Sequence, residues 1–267
     1  MEKKLNPIKD IWFSKKVTKF AGRVQGEFEL IKPQDKVLVG FSGGKDSFVL
    51  LHVLKRMQLI APFKFDLAAI TIDAGTGIDY SPLQKHCEKF GIEFIWYKTP
   101  ILEIIEEKKR PGSSACGFCA RMRRGALYTK ALELGYNKIA LGHHFDDAVE
   151  TFFMSMFYNG IMRSMPPKYR AYNGIEVIRP LIKVREKWIE FMAQKNNFPI
   201  INGEESCLAY SASDGKEPYA REKIKKFLEN LEKEEPKIFQ RLDNAFSHID
   251  CDTFFMKDFN EAGRLGN

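Results

Sequence analysis

The sequence predicts an α/β protein: a five-stranded parallel sheet flanked by helices, with helical extensions at both ends of the chain. Two patterns predict it. Short apolar, β-rich runs alternate with longer segments of helical periodicity, which is how a parallel sheet covered on both faces reads. The chain of 267 residues, 44% hydrophobic and 29% charged, is long enough to bury a substantial core without disulfide staples. That composition excludes a disordered or low-complexity chain. No internal repeat and no glycine- or serine-rich linker divides it.

Each element has a local reason. Residues 1–35 read as a helical lead-in that stops at the turn signal Lys32-Pro33-Gln34-Asp35. Strands are expected at 36–41, 65–72, 93–97, 138–141 and near 176–178, with helices at 46–57, 81–90, 119–134 and 147–158 between them. A helical pattern over 185–197 is stopped by Phe198-Pro199. A polar loop from Asn202 to Pro218 follows and contains Cys207. The last strong pattern is a charged amphipathic helix at 219–234, with opposite charges at i,i+4 spacing, expected to be scaffold.

The longest apolar runs, such as 36–41, fall far short of the ~20 residues a membrane-spanning helix needs. The N-terminus has charge but no apolar stretch or cleavage site after it, so a cytoplasmic location without membrane contact is expected. Five cysteines are an odd number, and Cys116 and Cys119 form a C-x-x-C, which in a cytosolic chain suggests metal or redox chemistry before structural disulfides.

A net charge of +7 is unevenly spread. Between Lys108 and Lys130 there are seven basic residues and no acid. Arg163, Lys168 and Arg170 repeat the pattern between Asn159 and Ile175, interleaved with Tyr169 and Tyr172. Such stretches suit a polyanion, although taken alone a solvated surface accounts for them better.

The segment 37–47 runs from a strand through two glycines into a helix. Physically this is an anion site: backbone N–H groups converge, the helix N-terminus adds positive potential, and Ser42, Lys45 and Ser47 complete the cradle. No Walker A spacing can be aligned. Asp46 would repel bound phosphates unless a divalent cation lies between them, so it reads as a Mg²⁺ ligand or the holder of a metal-bound water. A lone Gly-Gly pair would more often be a packing turn. The full string Ser42-Gly43-Gly44-Lys45-Asp46-Ser47 is more specific, and it resembles the pyrophosphate-binding loop of the PP-loop ATP pyrophosphatases. The resemblance implies cleavage of ATP to AMP and pyrophosphate, with residues Phe41 to Ser47 around the nucleotide.

A second string, Gly142-His143-His144-Phe145-Asp146-Asp147, follows the fourth strand and should face the same crevice at the carboxyl ends of the strands. It is similar to the G-H-x-x-D-D element of that superfamily, which implies that Gly142 and Asp147 line the nucleotide or its metal. For His143 and His144, capping and packing stand beside catalysis. Asp73 ends the second strand, and by the same resemblance that edge contacts adenosine, with Ile72 acting through its backbone.

On its own, Cys116-Gly117-Phe118-Cys119 is open to a zinc half-site, a dithiol pair or part of an iron–sulfur site. Zinc is weakened because no second C-x-x-C or nearby paired His exists. Cys87 lies in an ordinary helix pattern and reads as a small buried apolar group, and Cys251 as structural. Cys207 sits in a polar loop where a thiol adds little to packing.

The C-x-x-C with Arg121, Arg123, Arg124 and Tyr128 after it, then Gly142 to Asp147, then Met165-Pro166-Pro167-Lys168, Ile178-Arg179-Pro180-Leu181 and Phe198-Pro199-Ile200 are similar, in that order, to the tRNA 2-thiocytidine synthetase family. The similarity runs from about Asn6 to Phe259. It implies a [4Fe–4S] cluster on Cys116, Cys119 and Cys207, with one iron left open to present sulfide. It also implies adenylation of the cytosine C2 oxygen at C32 of the anticodon loop, with Lys45, Asp46, Arg123 and Cys207 as catalytic residues. Arg121, Arg124, Arg163 and Lys168 are the implied tRNA contacts.

The implied cofactors are ATP, Mg²⁺ and the cluster. The implied partners are tRNA and a cysteine desulfurase-type sulfur donor, and a homodimer is compatible with the reading. The implied division is an extension at 1–35, a PP-loop ATP-binding domain at 36–200, and a cysteine loop with a C-terminal helical region at 201–267. One departure from the family pattern stands out: the later loop carries Cys207 alone, so a persulfide route through an additional cysteine loses its residue. Rival expectations are a PP-loop uridine thiolase, a small-molecule sulfurtransferase, a tRNA-lysidine-type ligase that needs no cluster, and a non-catalytic nucleotide or redox sensor.

Overall fold

Val37, Leu38 and Val39 are fully buried, as a continuous apolar run requires of a strand covered on both faces. They form the centre of β1 (Lys36–Gly40) in the computed structural model, which describes residues 7–108, 115–201, 219–250 and 253. Before it lies α1 (Lys15–Phe28). After it come α2 (Lys45–Ile60), β2 (Asp66–Asp73), α3 (Ser81–Lys89), β3 (Glu93–Lys98), α4 (Ile101–Lys108), α5 (Ala115–Glu133), β4 (Lys138–Ala140) and α6 (Phe145–Asn159). The chain continues through β5 (Lys168–Arg170), β6 (Glu176–Ile178), α7 (Glu186–Asn196), α8 (Tyr219–Glu234) and α9 (Ile238–Ser247).

The strands form one sheet in the order β3-β2-β1-β4-β6-β5. Every neighbouring pair is parallel except β5 with β6. Leu127, Tyr128 and Ala131 of α5 join Leu38, Ala68, Ile70 and Ile139 in one apolar cluster, so α5 covers one face. Helix α2 packs on β1 and β2 and on α7, which in turn meets α1. The chain divides into two compact units, Met1–Arg221 and Glu222–Asn267, with the break inside α8; the second unit holds the rest of α8 and α9. No helix among the described residues is long and apolar enough to cross a membrane.

All five expected strands are present, and the structure adds a sixth. Strand β5 is three residues long and pairs antiparallel with β6 across a tight turn in which Gly174 has φ +90°. A three-residue Lys-Tyr-Arg segment has no apolar alternation to reveal it, and its partner supplies the pairing. Helix α4 has no counterpart among the expected elements. Helix α5 begins at Ala115 rather than at 119, so the C-x-x-C lies within its first turns.

Candidate active site

Strand order decides where the site lies. From β1 the chain crosses to β2 on one side, whereas β4 and β6 extend the sheet on the other side. The loops leaving β1 and β4 therefore diverge and open a crevice between neighbouring strands. Gly142 allows them to approach each other: a Cβ there would lie 3.2 Å from the Asp46 carbonyl carbon and 3.3 Å from the Asp46 oxygen and the Ser47 nitrogen. Those are backbone atoms at the first turn of α2, and they have little room to yield.

The glycine loop is built from the strand outward. Phe41 N–H still donates to Ile70 O at 2.8 Å, and the Thr71 hydroxyl donates to Phe41 O at 2.5 Å, so the loop leaves β1 from a fixed point. Gly43 has φ +86°, a left-handed conformation suited to glycine, and Gly44 is the N-cap of α2. The Ser47 hydroxyl donates to Gly44 O at 2.8 Å and lies 3.4 Å from the Ser42 hydroxyl. Ile201 N–H donates to Gly43 O at 3.0 Å and its side chain covers the loop.

Lys45 Nζ donates to Glu186 Oε1 at 2.9 Å. Burial opposes its charge, but Asp46, Glu186 and Glu190 outweigh that cost and raise its pKa above the usual lysine value. Asp46 Oδ1 is buried and accepts no hydrogen bond among the described residues, lying 3.6 Å from Lys45 Nζ and 3.8 Å from His144 Nε2. Burial raises the Asp46 pKa, Lys45 and His144 oppose the rise, and Asp147 and Glu186 add to it. A buried carboxylate oxygen without a donor among the described residues, in the first turn of α2 beside the glycine loop, is chemically suited to a divalent cation.

The two histidines after β4 have different surroundings. His144 is the N-cap of α6 in a capping box: its Nδ1 accepts Asp147 N–H at 3.3 Å, and Asp147 Oδ2 accepts His144 N–H at 3.0 Å. Arg221 of α8 donates to Asp147 Oδ1 at 2.6 Å and to Glu150 Oε2 at 2.7 Å. Asp146 takes no part in the capping box and accepts from Arg185 Nε at 3.1 Å and from Glu186 N–H at 2.7 Å, with Oδ2 3.9 Å from His144 Nδ1. It thereby ties the start of α7, and with it Glu186, to the crevice. His143 Nδ1 accepts from Arg179 Nε at 3.2 Å; burial and the Arg179 charge push its pKa down to about 4.

At the end of β2, Asp73 Oδ1 accepts Gly75 N–H and Oδ2 accepts the Trp96 indole N–H, both at 2.9 Å, so its carboxylate shapes the following loop. The Ile72 carbonyl accepts from Arg123 Nη2 at 3.4 Å. Arg123 reaches β2 from α5, and its Nε is buried with no partner among the described residues. Ile72, Asp73, the glycine loop and the Arg123 side chain therefore lie at the same ends of the adjacent strands β1 and β2.

The thiols are only partly described. Cys119 is half-buried, one turn after residue 116 on α5. Cys207 and Cys251 lie outside the described residues, and Cys87 is fully buried, which pushes its thiol up to about 12. Among the described residues no group of three or more His, Cys, Asp or Glu assembles around a metal position. Arg121, Arg124 and Arg163 are exposed, and Lys168 is half-buried on β5.

Sequence reading assigns no role to Arg179, Arg185, Arg221, Glu186 or Tyr128. Tyr128 and Tyr169 share a hydroxyl hydrogen bond at 2.6 Å beneath the Arg179 guanidinium, which lies 5.1 Å from the Tyr169 ring. Of these residues only Arg179 and Tyr128 carried a signal, as members of strings that resemble the family.

Residues 13–206 match the PP-loop domain family. The tRNA-cytidine(32) 2-sulfurtransferase of Geobacter metallireducens is 40% identical over 237 residues, 88% of this chain and 90% of the relative. Its counterpart in Geobacter sulfurreducens is 41% identical over the same shares. That of Syntrophotalea carbinolica is 38% identical over 261 residues, 96% of this chain and 98% of the relative. Among solved structures, the U34-tRNA thiolase NcsA of Methanococcus maripaludis, determined with its [4Fe-4S] cluster, superposes with a TM-score of 0.67 over 92% of this chain and 84% of the neighbour. Its sequence identity is 23%, so that likeness shows the fold.

Proposed function

Because this chain belongs to the tRNA 2-thiocytidine synthetase family of PP-loop proteins, we propose that it is an ATP-dependent sulfurtransferase making 2-thiocytidine at position 32 of tRNA. The observation that carries the reading is the backbone approach at Gly142, which brings the two nucleotide motifs to one crevice. Relatives of that named activity, similar over nine-tenths of both chains, supply the substrate class.

The residues fit ATP and Mg²⁺. Backbone N–H groups at the start of α2 and the Lys45 ammonium hold the pyrophosphate end, with phosphate replacing Glu186 as the partner of Lys45. Asp46 Oδ1, which has no donor among the described residues, would hold the cation. Fixed in line, the cytosine C2 oxygen attacks the α-phosphorus, the bond to the β-phosphate oxygen breaks, and pyrophosphate leaves. The attached AMP turns that oxygen into a leaving group. Arg123, with a buried Nε–H that has no partner among the described residues, adds positive charge beside the nucleotide.

Thiolate donors fit an iron–sulfur cluster, and positions 116 and 119, one turn apart on α5, suit two corners of it. Cys116, Cys119 and Cys207 would hold the [4Fe–4S] group, which when bound supplies sulfur as the nucleophile for C2. Arg121, Arg124, Arg163 and Lys168 provide the phosphate-contacting charge for the tRNA, whose target base must leave its stack to react. A cysteine desulfurase-type sulfur donor, a homodimer, a cytoplasmic location and an ATP-binding domain at 36–200 complete the proposal on the family resemblance.

Nucleoside mass spectrometry of tRNA from cells lacking the protein tests the reading. Loss of 2-thiocytidine with thiolated uridines retained is expected. Unchanged 2-thiocytidine, or loss of a thiouridine instead, overturns it.

A further inference from the structure

Strand β5 is the edge of the sheet and runs against β6, so the turn joining them lies at the end of the sheet away from the crevice. Tyr172 stands in that turn and is 99% exposed, against 69% for Ile249, the next large apolar side chain among the described residues. Nothing in the turn requires an aromatic ring there. Gly174 N–H donates to Ala171 O and Ala171 N–H to Ile175 O, both at 2.9 Å, and the Asn173 side chain accepts Ile175 N–H at 3.4 Å. Backbone and Asn173 therefore close the turn without Tyr172, where a small polar residue would serve. The turn is also stiff, because Ala171 and Ile175 on either side are buried in the apolar cluster with Leu127, Tyr128 and Ala131 of α5. A flat partner can cover the ring with little ordering cost.

Charge identifies the partner. Lys168 and Arg170 are two apart on β5 and share one face, opposite the face from which Tyr169 bonds to Tyr128 of α5. Arg170 is exposed and makes no ion pair among the described residues. Glu176, opposite it on β6, is held by Lys138, and Glu29, which feels the Lys168 charge, is paired with Lys32 at 3.1 Å. An acidic peptide would use the cations and leave the ring in water, and an apolar protein face would cover the ring and strand the cations. Single-stranded nucleic acid uses both. From Arg179, whose Nε pairs with His143 at the crevice, to Ile175 is four residues of extended chain, about 13 Å. That is the span of about four stacked nucleotides.

We propose that β5 and the turn after it form a second tRNA surface, in which Lys168 and Arg170 meet backbone phosphates and the Tyr172 ring stacks on an unpaired base a few nucleotides from the one that reacts. The proposal rests on the tRNA reading above. Loop bases outside a helical stack carry an open π-face, and an aromatic side chain takes any of them.

The test measures binding of an unmodified tRNA transcript with cytidine at position 32 to the full chain, by gel shift over a salt series. Tyr172→Ala should weaken binding about tenfold at every salt concentration without changing the slope, because an uncharged ring releases no counterions. Arg170→Gln should weaken binding and lower the slope by about one. Tyr172→Phe and Tyr172→Trp should bind as wild type does, since stacking needs the ring and not the hydroxyl. All four variants should melt with wild type, because these side chains support no packing.

Wild-type affinity in Tyr172→Ala, or Tyr172→Phe as weak as Tyr172→Ala, overturns the proposal and leaves the tRNA reading in place. So does a Tyr172→Ala that alters the sedimentation of the protein instead of its tRNA affinity, which would give the ring to a second copy of the chain. A wild-type chain that does not bind the transcript overturns the tRNA reading itself.

Discussion

Acid should attack this fold at the His52–His86 pair. His52, fully buried on α2, and His86 on α3 meet Nε2 to Nε2 at 2.8 Å, and His52 Nδ1 is buried without a partner among the described residues. Around them pack Phe90 and Phe198, with Phe48 against His86. Burial first, and His86 and Lys89 second, push His52 from the ordinary 6.5 to about 3. Burial and Lys89 push His86 to about 4.

Both folded-state values lie below the unfolded one, so the unfolded chain binds more protons as the pH falls. The stability at stake is complete above about pH 6.5 and is lost as the pH drops through 6.5 toward the folded values. At about pH 5 both rings are protonated in the unfolded chain and neutral in the folded one, which costs about 2 kcal/mol for each and about 4 kcal/mol together. Partial solvation of His86 makes that sum a ceiling.

The comparison protein carries His52→Phe and His86→Phe together. Removing both avoids stranding one buried polar ring and should leave stability near pH 8 almost unchanged. Urea unfolding followed by circular dichroism at about pH 8 and about pH 5 should show wild type losing up to about 4 kcal/mol more than the double variant on acidification. In thermal melts that difference corresponds to about 10 °C for a chain of this size. Equal acid losses for the two proteins, or a His52 ring that titrates near 6.5, would refute the reasoning.

Three further outcomes follow from the crevice. Gly142→Ala should weaken binding of Mg²⁺ and α,β-methylene ATP about tenfold or more, read by calorimetry, because its Cβ meets α2 backbone at 3.2 Å. Asp46→Asn should abolish the Mg²⁺ dependence of nucleotide binding while leaving the melting temperature of the nucleotide-free protein equal or higher, since burial already disfavours that charge. Replacing exposed Arg121, Arg124 or Arg163 by Gln should flatten the salt dependence of tRNA binding by about one unit of slope each, read by gel shift over a salt series.

Most of the crevice's backbone was legible in the chain. An apolar run ending in two glycines, a Lys-Asp pair and a serine states both its local geometry and its anion chemistry, and the structure shows the strand, the left-handed Gly43 and the helix start. The Gly142 string likewise announced a helix start. What it left open was the division of labour between its histidines, because capping depends on which ring reaches the α6 amides and pairing depends on Arg179, distant in sequence. Asp73 shows the same limit: the resemblance implies that its strand end contacts adenosine, and only the structure shows that its carboxylate accepts from Gly75 N–H and the Trp96 indole. The third thiol, Cys207, lies outside the described residues and remains a proposal on the resemblance.

Sequence alone therefore determined what nearest neighbours along the chain can encode: strand and helix periods, the turn chemistry of the glycine loop, the order of the elements and the thiols available for metal. Only the tertiary structure decided that β1 and β4 lie side by side, that Gly142 presses on the start of α2, and that Arg179, Arg185 and Arg221 complete groups on the β4–α6 segment. The physical reason is range. Backbone propensity acts over a few residues, whereas these pairings join side chains 36, 39 and 74 positions apart and exist only once sheet order and helix packing have brought them together.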